Sequence, residues 1–85
     1  MARHELDARR LLCPLPVIRT QNAMKALAPG DVLVVTATDP GVLQDIPAWC
    51  RINGHRVTAS HRDADGIVIE ILHCGRPPEP HRAPL

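Results

Sequence analysis

Aromatic side chains are almost missing from this chain of 85 residues: Trp49 stands alone, without a Phe or a Tyr. Any core must therefore be aliphatic, and direct nucleic-acid binding through stacked bases is not expected. A strong charge of one sign is missing too. The formal net charge is +1, too little to draw the chain to nucleic acid or to an acidic membrane surface. No apolar run is long enough to span a bilayer or has the form of a secretory leader. No Cys-x-x-Cys pair occurs, which excludes a thioredoxin-type dithiol, and there is no glycine-rich phosphate loop. Histidines stand at 4, 55, 61, 73 and 81, yet spacing ties none of them to a cysteine as a base. His73-Cys74 alone does not make a zinc site. No metal and no cofactor is expected.

What is present fits one small domain, with no room for a second core. Residues 1–75 carry the pattern of a folded unit. Residues 76–85 hold four prolines and no apolar face, so they are expected to form a disordered or extended tail. Cys13, Cys50 and Cys74 are odd in number and cannot all pair. With no leader or membrane segment in view, free thiols in a reducing cytoplasm are the expectation.

The residues between the breaks give the elements. His4-Glu5-Leu6-Asp7 is a short polar strand candidate. From Pro14 to Ala28 the spacing of Val17, Met24 and Ala28, widened by Ile18 and Leu27, predicts a helix, stopped by Pro29-Gly30-Asp31. Val32 to Thr38 is a β-branched, nearly continuous apolar run, as a strand buried on both flanks requires. Asp39-Pro40 opens a second helix, on which Val42, Ile46, Trp49 and Cys50 share one face. Pro47 predicts a kink, or a restart with Asp45 as cap. Asn53-Gly54 ends this helix. Arg56 to Arg62 and Ile67 to Leu72 flank Asp63-Ala64-Asp65-Gly66 as a hairpin.

The order is thus β-α-β-α-β-β, an α/β two-layer sandwich. The crossover rule makes the first two strands parallel. Strands one and three are polar, which suits edges; strands two and four are apolar, which suits the centre. The predicted mixed sheet has order 1-2-4-3, with both helices on one face and the other face partly open.

The most informative stretch is Leu11-Leu12-Cys13-Pro14-Leu15-Pro16-Val17-Ile18. Cys13 is placed as the helix N-cap and Pro14 at the first helical position, where a missing N–H costs nothing. A thiol at a helix N-terminus near cations has its pKa lowered. Arg9, Arg10 and Arg19 supply the cations, either as a solvated basic face or as a docking surface for acidic partners. Pro14 and Pro16 fix the backbone but also remove two N–H groups from the first turn, so the expected activation is modest. A nucleophilic sulfur without an acid, a base or a second thiol suits the transfer of a sulfur atom between thiolates, because attacking and leaving groups are both soft anions. Cys50 lies on the apolar stripe and is expected to be structural. Cys74 is expected to be an exposed bystander, with a lesser option of resolving a persulfide on Cys13.

Taken together, Leu6-Asp7, Cys13-Pro14-x-Pro16, Pro29-Gly30-Asp31, Asp39-Pro40, Asp45-Ile46-Pro47-x-Trp49-Cys50 and Gly54-His55 resemble the TusA (SirA-like) sulfur-carrier family, over residues 5 to about 73. The resemblance implies the same sandwich. It also implies that Cys13 takes sulfane sulfur as a persulfide from a donor protein, a cysteine desulfurase or a rhodanese-like protein, and passes it to an acceptor protein. Leu12 and Leu15 stand where well-studied tRNA-thiolating members have an arginine and an acidic residue. Sulfur oxidation and delivery to cofactor synthesis are therefore as open as tRNA thiolation. The alternative is a non-catalytic regulatory or interaction domain that uses the open sheet face.

Overall fold

A computed structural model describes residues 2–74; the proline-rich stretch 76–85 lies outside the described residues. In chain order the elements are β1 (Arg3–Ala8), α1 (Leu15–Lys25), β2 (Val32–Ala37), α2 (Val42–Ile52), β3 (Arg56–Asp63) and β4 (Gly66–Leu72). The sheet order is β1-β2-β4-β3, as the polarity of the strands predicts. β1 runs parallel to β2, from Arg3 opposite Val32 to Ala8 opposite Ala37. β4 runs antiparallel to both β2 and β3.

The alternation of side chains along a strand explains which residues form the core. Leu33, Val35 and Ala37 of β2 lie opposite Ile71, Ile69 and Ile67 of β4. All six are buried in one cluster with Met24 of α1 and Val42, Ile46 and Cys50 of α2. Both helices therefore pack on the same face of the sheet. The other parity, Val32, Val34 and Thr36 with Leu72, Glu70 and Val68, lines the uncovered face. Arg3 and Glu70 pair across that face at 3.4 Å. β3 is more exposed than its alternation predicts: Val57 is half-buried, while Ala59 and His61 are exposed. A register shift between Val57 and Ala59 breaks the predicted alternation.

The helices differ from the sequence expectation in bounds and phase. α1 is shorter than 14–28, because Ala26 and Leu27 close the last turn onto Ala23 and Met24 carbonyls. Its buried residues are Pro16, Thr20 and Met24, whereas Ile18 is 43% exposed. α2 runs unbroken through Pro47, with Gly41 rather than Asp45 as its N-cap. Pro47 supplies no N–H to the carbonyl of Leu43, a residue that is itself exposed. At the far end Gly54 takes a φ of +79, and the His55 N–H closes on the Cys50 carbonyl at 2.8 Å, the bond that defines a Schellman C-cap. No helix among the described residues is long and apolar enough to cross a membrane.

Candidate functional site

A parallel β-α-β unit brings both helix starts to one edge of the sheet, beyond the carboxyl ends of β1 and β2. Two connections meet there, residues 9–14 and residues 38–41. Side chains of the second hold the backbone of the first. Thr38 Oγ1 accepts the Arg10 N–H at 2.9 Å, and Asp39 Oδ2 accepts the Cys13 N–H at 2.9 Å. Asp39 Oδ1 also accepts the N–H of Gly41 at 2.9 Å. Arg10 sits at φ +68, and the Cys13–Pro14 peptide bond is cis. Pro14 is the N-cap of α1, so Cys13 lies one residue outside the helix and not at its cap. Leu12, 74% exposed, and Leu15, 43% exposed, flank it. Pro16 is buried in the first turn of α1 and anchors the motif to the body of the domain.

The Cys13 side chain is exposed and unpaired with another cysteine. It points at the start of α2. The thiol donates to Asp45 Oδ2 at 2.7 Å. A Cβ on Gly41 would lie 3.5 Å from Sγ, an ordinary contact, and 3.3 Å from Asp39 Oδ1, close enough that the carboxylate would have to shift slightly.

The electrostatics reverse the sequence expectation. The Cys13 pKa is raised, to about 11, and not lowered: the hydrogen bond to Asp45 comes first, then desolvation, then the charges of Asp45 and Asp39. A carboxylate that accepts the thiol's proton favours the neutral form and repels the anion. The helix starts offer little in return. Pro14 and Pro16 have no N–H, and the N–H of Leu15 is taken by the Leu12 carbonyl at 2.9 Å. In α2, Val42, Leu43, Gln44 and Asp45 donate to carbonyls of Asp39, Pro40 and Gly41. Most of the donors that would make an anion site are thus deleted or occupied.

The basic residues do not compensate. Arg9 forks onto Asp7, with Nε 2.9 Å from Oδ1 and Nη2 3.0 Å from Oδ2, and this pulls the Asp7 carboxyl down to about 2. Arg10 contributes its backbone N–H to Thr38, and Arg19 is exposed on α1. None of the three is among the charges that act on Cys13.

Asp39 was legible as a helix-start residue, but Asp45 was read only as a possible cap. The available signal was topological: two helices that follow parallel neighbouring strands begin side by side, so an acidic residue in the first turn of one faces the first turn of the other.

The other two cysteines are elsewhere. Cys50 is 1% exposed, and burial pushes its thiol up to about 11, as a structural role predicts. The Cys74 N–H donates to His55 Nδ1 at 3.3 Å. His55, expected as a turn residue, stacks on Trp49 with ring centroids 5.5 Å apart and meets His73 in a tilted arrangement at 4.6 Å. Trp49 is half-buried, packing against the core from its rim. This group lies at the C-terminal end of α2, a helix of 11 residues and so about 16 Å long, whereas Cys13 lies at its N-terminal end. Cys74 is therefore not placed to resolve a persulfide on Cys13 of the same molecule. A groove of about 490 Å³ on the uncovered sheet face is lined by Glu5, Asp7, Arg9, Thr36, Asp63 and Asp65 among others; Cys13 does not border it. Among the described residues, no group of three or more His, Cys, Asp or Glu side chains is placed to hold a metal ion.

Comparison with known proteins adds to this geometry. The chain matches the family model described as Sulfurtransferase TusA over residues 4–72. It is 42% identical over 60 residues to the protein named "Putative sulfur carrier protein YrkI" of Bacillus subtilis (strain 168), covering 71% of this chain and 80% of that protein. It is 39% identical over 64 residues to "Putative sulfur carrier protein YrkF" of the same organism, covering 75% of this chain. The match spans about a third, 34%, of YrkF.

Proposed function

The chain belongs to the TusA sulfurtransferase family, and from that premise we propose that it is a sulfur carrier in which Cys13 accepts sulfane sulfur as a persulfide and hands it to an acceptor protein. The observation that carries this reading is the exposure of Cys13 on a connection pinned by Asp39 and rigidified by Pro14 and Pro16. Cys50 is buried, and Cys74 has no comparable setting.

Loading is an exchange on sulfur. The sulfur of Cys13 attacks the outer sulfur of the donor's persulfide; the new S–S bond forms on Cys13 as the donor's own S–S bond breaks. The donor leaves as a thiolate and takes up the proton that Cys13 gives up. A thiol and a hydropersulfide become a hydropersulfide and a thiol, with no net oxidation. Handover is the same exchange with the acceptor's thiolate as the attacking group. Such a step needs little acid–base machinery, which suits a site without a neighbouring histidine. It does require the proton of Cys13 to leave Asp45. A donor whose docked surface brings a cation to Asp45 and Asp39 lowers the cost of that step. Arg9, Arg10 and Arg19 remain candidate docking residues for acidic partners, while Leu12 and Leu15 offer apolar contact.

Incubation of the full chain with a persulfide donor is expected to add the mass of one sulfur atom to the intact protein, and Cys13→Ser is expected to stay unloaded. Equal loading of Cys13→Ser would rule out Cys13 as the acceptor. Normal biological activity of Cys13→Ser, with or without loading, would favour the interaction-domain alternative.

A further inference from the structure

Asp45 relates in opposite ways to the two states a sulfur carrier must have, an inference that rests on the persulfide reading above. In the empty state Cys13 has a proton to donate, and Asp45 Oδ2 accepts it at 2.7 Å. In the loaded state the inner sulfur carries no proton. The outer sulfur belongs to a hydropersulfide, a stronger acid than its parent thiol, so the loaded state is the first of the two to ionise as pH rises. An anion cannot donate to Asp45. It meets one carboxylate at the site the thiol proton occupied and a second, Asp39, beside Gly41. The α2 first-turn N–H groups that would offset this repulsion are spent on the turn at 39–41, and two from α1 are deleted by Pro14 and Pro16.

We propose that Asp45 is a load-sensing positioning residue: it holds the empty Cys13 against the start of α2 as a hydrogen-bonded thiol, and it drives the terminal sulfur of the loaded Cys13 outward, between the exposed Leu12 and Leu15. Occupancy thereby sets both reactivity and presentation. The empty carrier is slow toward stray electrophiles and oxidants, because it holds little thiolate. The loaded carrier offers its sulfur to an incoming thiolate and gains by losing it, since the like charge is then removed and the Asp45 bond re-forms. Two carboxylates thus supply direction to an exchange that is otherwise nearly symmetric. Among the described residues, the charges that act on Cys13 are those of Asp45 and Asp39, and Arg9 is held by Asp7.

The test compares the full chain with Asp45→Asn, which keeps the size of the side chain and removes its charge. In the empty proteins, alkylation of Cys13 is followed against pH, with the labelled peptide read by mass spectrometry. The wild-type midpoint is expected near 11 and that of Asp45→Asn nearer the free-cysteine value of about 8.5. Alkylation at neutral pH should then be faster in Asp45→Asn, on the order of 10–100-fold. In proteins loaded with a small-molecule persulfide, release of the sulfur to excess glutathione is expected to be several-fold slower for Asp45→Asn than for wild type. Should Asn disturb the fold, Asp45→Ser makes the same comparison. An unmoved midpoint overturns the proposal, as does loaded Asp45→Asn releasing sulfur as fast as wild type. Failure of Cys13 to take up sulfur in either protein overturns the carrier reading itself, and with it the loaded half of the proposal, whereas an unmoved midpoint leaves the carrier reading standing.

Discussion

The carboxylate of Asp39 accepts two backbone N–H groups, one from Gly41 in its own turn and one from Cys13 on the neighbouring connection. Those bonds keep its pKa below the usual carboxylate range. Asp39→Ala leaves both donors without their partner and unties the Cys13 connection from α2. Thermal unfolding of that variant is expected at a lower Tm than wild type, with Asp39→Asn between the two because its single oxygen can serve only part of the pair. An unchanged Tm in Asp39→Ala would mean that the 9–14 connection is held by its own turns. The reactive residue was legible because its signal is local: a cysteine followed by Pro14 and Pro16 within three positions. The group that governs its charge was not, because Asp45 lies 32 residues away and its own neighbours, Ile46-Pro47, suggested a helix restart. Reading Cys13 from its sequence neighbours alone therefore gave its pKa the wrong sign. The cations were close in the sequence and the carboxylates close in space.

α1 shows the same limit one level up. Its apolar residues near the start, Leu15, Val17 and Ile18, surround the helix, so spacing alone does not choose between adjacent faces. The face that packs centres on Pro16, Thr20 and Met24, rotated by roughly 60° from the predicted stripe, with which it shares Met24, while Val17 and Leu27 pack at its margin. The choice buries Thr20 completely and leaves its Oγ1 without a hydrogen-bond partner. A stripe read from hydropathy does not select a threonine, and here tertiary packing overrode it. The orphan hydroxyl carries a cost, which makes it testable. Thr20→Val keeps the β-branched shape, has similar helix propensity and removes the unpaired polar atom. It is expected to stabilise the domain by about 1 kcal/mol, seen as a higher urea midpoint with an unchanged slope and a Tm higher by about 4–8 °C. A lower midpoint would show that the hydroxyl is satisfied in solution. The strands were easier to read, because their two polarity classes map directly onto sheet position. Apolar β2 and β4 are flanked on both sides, polar β1 and β3 on one, and the predicted order follows from that difference alone.

For the whole molecule, the shifted groups fix how stability depends on pH, and they act from both sides. On the acid side, His55 is held below its ordinary value of 6.5 by burial first and by His73 second. Unfolding restores its proton affinity, so stability begins to fall as pH drops through about 6.5 and goes on falling to the lower folded value. Asp31, bonded by the N–H groups of Ala28 and Ala2, and Asp7 and Asp39 are all held below 3.8. Their contributions persist above that value and disappear as pH falls through it. On the alkaline side, Cys13 and Cys50 are raised from 9.0 to about 11 for different reasons, one by Asp45 and the other by burial. Each contribution is complete below pH 9 and is lost as pH rises toward 11. The Tm is therefore expected to form a plateau between about pH 6.5 and 9, with a gentle acid shoulder, a steeper fall below 3.8 and an alkaline decline. Cys13→Ser should remove part of the alkaline decline and leave the acid side unchanged. Replacing His55 by leucine should remove the shoulder and leave the fall below 3.8 in place. If Cys13→Ser kept the whole alkaline decline, the Cys13–Asp45 bond would contribute nothing to folding. By linkage the thiol would then titrate alike in the folded and the unfolded chain, which would refute the raised Cys13 pKa set by the meeting of the two helix starts.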